Sequence, residues 1–322
     1  MKAITQDVYG TVDVLQLSEI EQPAPGAGEV LVRVRAAGVD PGIWHLATGQ
    51  PYLVRLGFGL RRPRHRVPGG DLAGEVAAVG PGVTRFQPGD RVFGNCPGAF
   101  AEYACARQDR FTALPDGVTF TQGAAVAVSA VTALQTLRDV GRVRPGQRVL
   151  VLGAAGGVGT YTVQLAKHFG AHVTGVCSTG KTDLVRSLGA DEVVDYTRDD
   201  ITATGGRYDL IVDTAGNRPV ARLRRILAPR GTLAIVGGVT EDGVLGGMQR
   251  PLGMMARAPF ARQRLRMVLA LTKAADLEVL RELLAAGIFT PVIDHTRPLA
   301  EAAEALRHLE HGRARGKVVL TV

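Results

Sequence analysis

The chain has 322 residues, 46 % of them hydrophobic, with 41 glycines and a formal net charge of +8. That length and composition fit a globular α/β protein of two domains with a substantial core. No apolar run is long enough to cross a bilayer, the start Met1-Lys2-Ala3-Ile4 lacks the apolar core of a signal peptide, and the three cysteines (Cys96, Cys105, Cys177) have neither paired nor metal-type spacing. A cytoplasmic protein without a membrane partner is the expectation.

Residues 1 to about 124 read as β-rich, with strand-like runs at 29–37, 72–79, 90–93 and 99–106. Pro/Gly turns such as Pro23-Ala24-Pro25-Gly26, Pro81-Gly82 and Pro88-Gly89 separate them, the pattern of a barrel-like module. Within this part, Arg61-Arg62-Pro63-Arg64-His65-Arg66 is the one dense basic cluster. It binds an anion, frames a site mouth or is a solvated loop, and the last reading is preferred. Elsewhere the arginines are spread out and no aromatic-rich platform accompanies them, so a nucleic-acid partner is not expected although the pI is about 9.8.

The Ala-rich stretch 122–140 is helix-compatible. Strands are expected at 148–152, 172–176, 192–195, 208–213 and 232–236, with helices at about 160–169, 181–188 and 219–227. After Gly247 the periodicity predicts amphipathic helices over 262–271 and 277–286, a short strand at 291–293, a helix over 299–309 and a closing strand at 317–322. The basic connection after Gly238 is long for a compact domain, and long loops beside a site are often functional.

The centre of this pattern is chemically specific. The aliphatic run Val149-Leu150-Val151-Leu152 empties into Gly153-Ala154-Ala155-Gly156-Gly157-Val158-Gly159, and a helix follows at once. This is the strand–turn–helix setting of a dinucleotide-binding turn, in which glycines admit the pyrophosphate and the helix N-terminus offers free N–H groups. Ala155, Gly156, Gly157, Val158 and Gly159 are the expected phosphate contacts. The strict G-x-G-x-x-G spacing is not met, because Ala154 stands at its first glycine. An NAD enzyme usually places an acid at the end of the next strand, roughly 20 residues past the first glycine. Here that end is Cys177-Ser178-Thr179-Gly180-Lys181. Ser178, Thr179 and Lys181 suit a 2′-phosphate, so NADPH is the expected cofactor; an ordinary helix cap at Ser178 or Thr179 is the alternative.

Several further stretches now fall into a known order. Ala36-Ala37-Gly38-Val39-Asp40-Pro41, Pro68-Gly69-Gly70-Asp71-Leu72-Ala73-Gly74-Glu75-Val76, Gly89-Asp90-Arg91-Val92, Gly98-Ala99-Phe100-Ala101-Glu102-Tyr103, Leu188-Gly189-Ala190-Asp191 and the ending Gly312 to Val322 succeed one another. Together they resemble the medium-chain dehydrogenase/reductases, in particular the zinc-independent quinone oxidoreductase branch. The resemblance covers nearly the whole chain. It implies a GroES-like β-rich catalytic domain over 1–124, completed by 286–322, and a Rossmann doubly wound parallel-sheet domain over 125–285. It also implies a homodimer.

Zinc-dependent members carry Cys in the first of these motifs and Gly-His-Glu in the second. Here Asp40 and Gly70-Asp71 stand there, and the four-Cys structural lobe is reduced to Asn95-Cys96-Pro97-Gly98. A catalytic zinc needs three protein ligands, so no metal is expected and Asp71 reads as structural. Without a Lewis acid the acceptor must delocalise its developing charge, as quinones and α,β-unsaturated carbonyls do.

The resemblance places Asp40 near the nicotinamide, where relatives usually carry Asn; capping the helix from Pro41 is the equal alternative. Tyr52 is a candidate hydrogen-bond or proton donor to the acceptor, or an aromatic packing a loop. Trp44 and Phe58 are candidate pocket walls. Thr132, Tyr196, Gly216, Gly237, Gly238 and Val239 are candidate cofactor contacts. The reading is an NADPH-dependent quinone or enone oxidoreductase. A zinc-free reductase of simple aldehydes and a non-catalytic NADPH-binding, RNA-binding protein are the alternatives.

Overall fold

The computed structural model describes residues 1–203, 205–237, 262–310, 312 and 314–322. They fall into two units, Met1–Val131 with Thr272–Val322, and Thr132–Leu271.

In the first unit β1 (Lys2–Thr5) pairs antiparallel with β2 (Gln16–Glu19). The spine is β3 (Glu29–Val39), whose Val30, Val32 and Val34 are buried. It pairs antiparallel with β4 (Asp71–Val79), which pairs with β5 (Arg91–Asn95). Over Glu29–Arg33 it also pairs with β6 (Tyr103–Arg107), and β7 (Phe111–Ala113) closes on β5. The strand run expected at 99–106 is therefore shorter. Its first part crosses the chain instead, with an isolated bridge between Ala3 and Ala101 and the Ile4 N–H donating to the Phe100 carbonyl.

The second unit is one parallel sheet of β8 (Arg148–Leu152), β9 (His172–Cys177), β10 (Glu192–Asp195), β11 (Tyr208–Asp213), β12 (Leu227–Ile235) and β13 (Arg264–Met267). Its order, β10-β9-β8-β11-β12-β13, is that of a doubly wound sheet. β8 and β11 are buried almost throughout, as strands covered on both faces must be. The order reverses between β8 and β11, which fixes the crevice at their carboxyl ends as the ligand position.

Where a helix was expected over 262–271 the chain forms β13. Leu265 is buried between exposed Arg264 and Arg266, a period of two, and the open edge of β12 supplies a ladder for Thr232–Ile235. The divisions at 131/132 and 271/272 also differ from the expected 124/125 and 285/286. The helix Ala274–Ala285 belongs to the first unit because Glu278 accepts from the Thr112 hydroxyl at 2.9 Å and pairs with Arg85 at 2.6 Å.

The C-terminal segment completes the first sheet. β14 (Ile293–Pro298) pairs parallel with β15 (Lys317–Thr321), and β15 pairs antiparallel with the end of β3. The Lys317 ammonium lies 3.4 Å from Asp71 Oδ2, with the two side chains 2 % and 0 % exposed. Asp71 Oδ1 accepts the Val128 N–H at 2.8 Å. Burial pushes the Asp71 carboxyl up, and the Lys317 ammonium beside it pulls the other way.

Removing one partner of such a pair strands a buried charge. Asp71→Asn should cost about 3–5 kcal/mol in urea unfolding. Asp71→Asn/Lys317→Met, which keeps an acceptor for the Val128 N–H, should recover most of that loss; equal instability of both variants would contradict the assignment.

Candidate active site and cofactor-binding turn

The turn after β8 is built by glycines with different tasks. Gly153 takes φ +77°, a left-handed conformation that glycine adopts without strain, and a Cβ there would lie 2.5 Å from the Thr214 hydroxyl. Gly153, not residue 154, thus fills the role of the missing first glycine. The Gly156 N–H donates to the Gly153 carbonyl at 3.0 Å. Gly156 then caps the helix Gly157–His168 without a side chain, so the first-turn N–H groups of Gly157, Val158 and Gly159 have no intrahelical acceptor. The helix starts three residues before the expected position 160. A Cβ on Gly159 would fall 2.1 Å from the Gly153 carbonyl, so only glycine lets helix and turn pack this closely. Ala155, in the middle of the turn, is buried.

The carboxyl ends of β11 and β12 meet this turn. The Thr214 hydroxyl donates to the Leu152 carbonyl at 2.8 Å. The buried Asp213 carboxylate accepts the N–H groups of Ala215 and Gly216, at 3.2 and 2.9 Å, and holds Gly216 at φ +69°. The Gly237 N–H donates to the Asp213 carbonyl at 3.3 Å, and a Cβ on Gly237 would lie 2.7 Å from the Thr214 carbonyl. Gly216 and Gly237 therefore come together with Gly153 around Thr214. Gly238 and Val239, with the basic connection after them, lie outside the described residues. Thr132 is buried on the helix Ala127–Gln135, and its carbonyl accepts the Thr136 hydroxyl at 2.6 Å.

At the end of β9, Ser178 leads into a short turn of 3-10 helix, Thr179–Lys181, and its side chain does not cap it. The Cys177 carbonyl accepts the Tyr196 N–H at 3.0 Å, which sets the half-exposed Tyr196 beside this turn. An acid stands here that the sequence motifs did not single out. Asp195, at the end of β10, accepts from the Thr179 hydroxyl at 2.5 Å and from the Thr197 hydroxyl and N–H at 2.7 and 3.0 Å. Arg198 lies 3.7 Å away. The Thr179 hydroxyl, the Thr197 bonds and Arg198 hold its carboxyl below the usual range. The signal was the pair Asp195…Thr197, the spacing of a side-chain turn at a strand end.

In the first unit, Asp40 caps the helix Pro41–Thr48, its Oδ1 accepting the Gly42 N–H at 2.9 Å. His45 Nδ1–H donates to the Gln50 carbonyl at 2.7 Å. Tyr52 is 45 % exposed, with the Arg55 guanidinium 4.6 Å from its ring centre. Trp44 packs partly buried against the core, and Phe58 is exposed.

A doubly wound sheet with a glycine turn at its switch point, in one chain with a β-rich unit completed by the C-terminus, defines the class of nicotinamide-dependent dehydrogenases and reductases. Residues 26–116 match the alcohol dehydrogenase GroES-like domain, and residues 188–320 match a zinc-binding dehydrogenase domain. A chloroplastic quinone-oxidoreductase homolog of Spinacia oleracea is 33 % identical, with 99 % of this chain and 98 % of that protein covered. The 2-methylene-furan-3-one reductase of Solanum lycopersicum is 32 % identical over 99 % of this chain and 79 % of its own length. A mycobacterial protein solved with NADPH superposes with TM-score 0.85 at 29 % identity, with both chains fully covered. The chain belongs to the medium-chain dehydrogenase/reductases, in their quinone oxidoreductase-like branch. It is an oxidoreductase that uses a nicotinamide cofactor.

The donor set does not fit the zinc that the domain's name carries. Position 70 has no side chain, Asp40 is engaged as a cap, and both Asp71 oxygens are taken inside the core. Burial pushes the Cys96 thiol up to about 12, far from the thiolate a metal requires. Among the described residues the group of three potential ligands, Asp294, His295 and His308, belongs to β14 and the helix Ala302–Glu310.

Gly159→Ala should therefore weaken dinucleotide binding by at least about tenfold in a direct titration, since either turn or helix must shift. Wild-type affinity in this variant would contradict the phosphate role of the turn.

Proposed function

We propose that the protein reduces a quinone or an α,β-unsaturated carbonyl with NADPH, without a metal ion. The arrangement that supports this reading most is the Gly153–Gly159 turn at the sheet's switch point, joined to a first unit whose motif positions cannot assemble three zinc donors. The names of the spinach and tomato relatives, a quinone-oxidoreductase homolog and an enone reductase, point to the same acceptors. Bound NADPH supplies the hydride.

The chain's own residues do the rest. The N–H groups of Gly157, Val158 and Gly159 and the positive end of their helix hold the pyrophosphate, with Ala155 and Gly156 shaping the turn. Gly216 and Gly237 let the dinucleotide lie close to the sheet edge, and Thr132 serves the nicotinamide end. Ser178 and Lys181 receive the 2′-phosphate, Thr179, whose hydroxyl donates to Asp195, shapes the turn between them, and Tyr196 lies against the adenosine side. Asp195 does not play the part of the NAD enzyme's acid. Thr179 and Thr197 already take three of its roughly four acceptor positions and Arg198 lies 3.7 Å away, so a ribose diol, which brings two hydroxyls, is poorly served. Tyr52 donates a hydrogen bond to the acceptor oxygen, and that bond strengthens as charge develops. Asp40 fixes the start of the helix leading to Tyr52, and a role near the nicotinamide is part of the same proposal. Cytoplasmic placement and a homodimer belong to the same proposal.

Turnover should follow. NADPH oxidation should be seen with quinones and enones and not with simple aldehydes, and should survive a strong zinc chelator. Activity confined to aldehydes, or lost on chelation and restored by zinc, would overturn the reading.

Cofactor choice tests the β9 end. NADPH should bind more tightly than NADH by about 1–3 kcal/mol, and Lys181→Ala should erode the gap. Asp195→Asn, which removes a negative charge beside Thr179, should widen it. Equal affinities of the wild type for both cofactors would end the assignment.

Tyr52→Phe should lower kcat by up to about a hundredfold, with NADPH affinity unchanged. Unaltered kcat across acceptors would remove Tyr52 from the reaction.

A further inference from the structure

Between Pro41 and Gly70 the chain carries five arginines and no acidic residue. In the middle of this stretch the apolar side chains face water: Leu56 is 74 % exposed, Leu60 67 % and Phe58 45 %. Scattered single leucines on a surface need no explanation, but three large apolar residues within five positions form a patch.

The loop is built to keep them outside. The Gly59 N–H donates to the Arg55 carbonyl at 2.9 Å, and the Arg64 N–H donates to the Phe58 carbonyl at 2.7 Å. Gly59 sits at φ +117°, where a Cβ would lie 2.1 Å from the Arg62 carbonyl, so the turn closes only on glycine. The Tyr9 hydroxyl pins its base, donating to the Gly59 carbonyl at 2.6 Å. Arg66 pairs with Asp7 at 2.7 Å, and the Gln6 N–H donates to the Arg66 carbonyl at 2.8 Å. Arg55 stacks between the rings of Tyr9 and Tyr52. Arg61, Arg62 and Arg64 remain exposed and form no ion pair with a described carboxylate.

We propose that this loop docks the protein on an anionic lipid bilayer. Leu56, Phe58 and Leu60 enter the boundary between headgroups and acyl chains, and Arg61, Arg62 and Arg64 lie against lipid phosphates. No helix among the described residues is long and apolar enough to cross a membrane, and surface docking requires none. The charge pattern selects this occupant. A second copy of the loop would bring two sets of unpaired guanidinium groups together, which is repulsive. Nucleic acid would satisfy the arginines but offers nothing to Leu56 and Leu60, and single strands are held on aromatic platforms. The chain's net charge of +8 favours an anionic surface. The inference stands apart from the identity of the acceptor, and its test reads binding rather than turnover.

The experiment is co-sedimentation of the full chain with vesicles of phosphatidylcholine alone or mixed equally with phosphatidylglycerol. The wild type should sediment with the anionic vesicles, release at high salt and ignore the neutral ones. Each basic side chain near such a surface contributes roughly fivefold in affinity, so Arg61→Glu/Arg62→Glu should lose well over tenfold. Leu56→Ser/Leu60→Ser should lose about tenfold or more, with NADPH binding and the far-ultraviolet spectrum unchanged. No sedimentation by the wild type, or full binding by the leucine variant, overturns the proposal. So does a wild-type dimer, without vesicle binding, that the leucine variant converts to monomer. Retention of structured RNA by wild type and leucine variant alike, without vesicle binding, overturns it as well.

Discussion

The charges of Lys317 and Asp71 meet 3.4 Å apart where water does not reach. Each needs the other, because an isolated ion in that medium is far more costly than a paired one. The pair also ties together distant parts of the chain. Lys317 opens β15, Asp71 opens β4, and the other Asp71 oxygen holds the Val128 N–H in the first turn of the helix carrying Thr132. Between them runs the end of β3, with Gly38 opposite Asp71 and Val39 opposite Val318. A Cβ on Gly38 would lie 2.3 Å from the Ala124 carbonyl, so the strands close here only around a glycine. Asp40 is the next residue out of this clamp. The position of a candidate active-site acid is thus set by an ion pair formed with a residue near the C-terminus.

In the second unit the governing constraint is backbone proximity rather than charge. Gly153, Gly159 and Gly237 each stand where a side chain would strike a hydroxyl or carbonyl. Removing three Cβ atoms opens the carboxyl edge of β8, β11 and β12 to a dinucleotide and leaves helix N–H groups aimed at it. Electrostatics then refine the choice of cofactor. A single ionised acid at the rim, Asp195, would ordinarily favour a ribose diol. Engaged by Thr179 and Thr197, it holds the turn that carries Lys181 in place.

Much of this was legible in the sequence because it is local. The strand–glycine–helix run at 149–169 and the missing carboxylate at the end of β9 need only neighbouring residues. The helix start at Gly157 was missed by three residues, since a glycine N-cap leaves no side-chain signal to read. What else escaped was non-local. Arg264–Met267 has a short alternation that an isolated chain leaves equally open to a helix, and only the edge of β12 decides for a strand. The helix Ala274–Ala285 is amphipathic in either unit; Thr112 and Arg85, far away in sequence, choose which. The partnership of Lys317 with Asp71 spans 246 positions and no motif announces it.

The central claim is that hydride passes from a nicotinamide to a conjugated carbon with no metal polarising the acceptor. It is tested most directly with protein stripped of metal, NADPH deuterated at the transferred C4 position, and an enone whose product is located by mass spectrometry and NMR. The account predicts one deuterium at the β-carbon, transferred at the rate of the untreated protein. Deuterium at the carbonyl carbon, or transfer that appears only after zinc is restored, would contradict it.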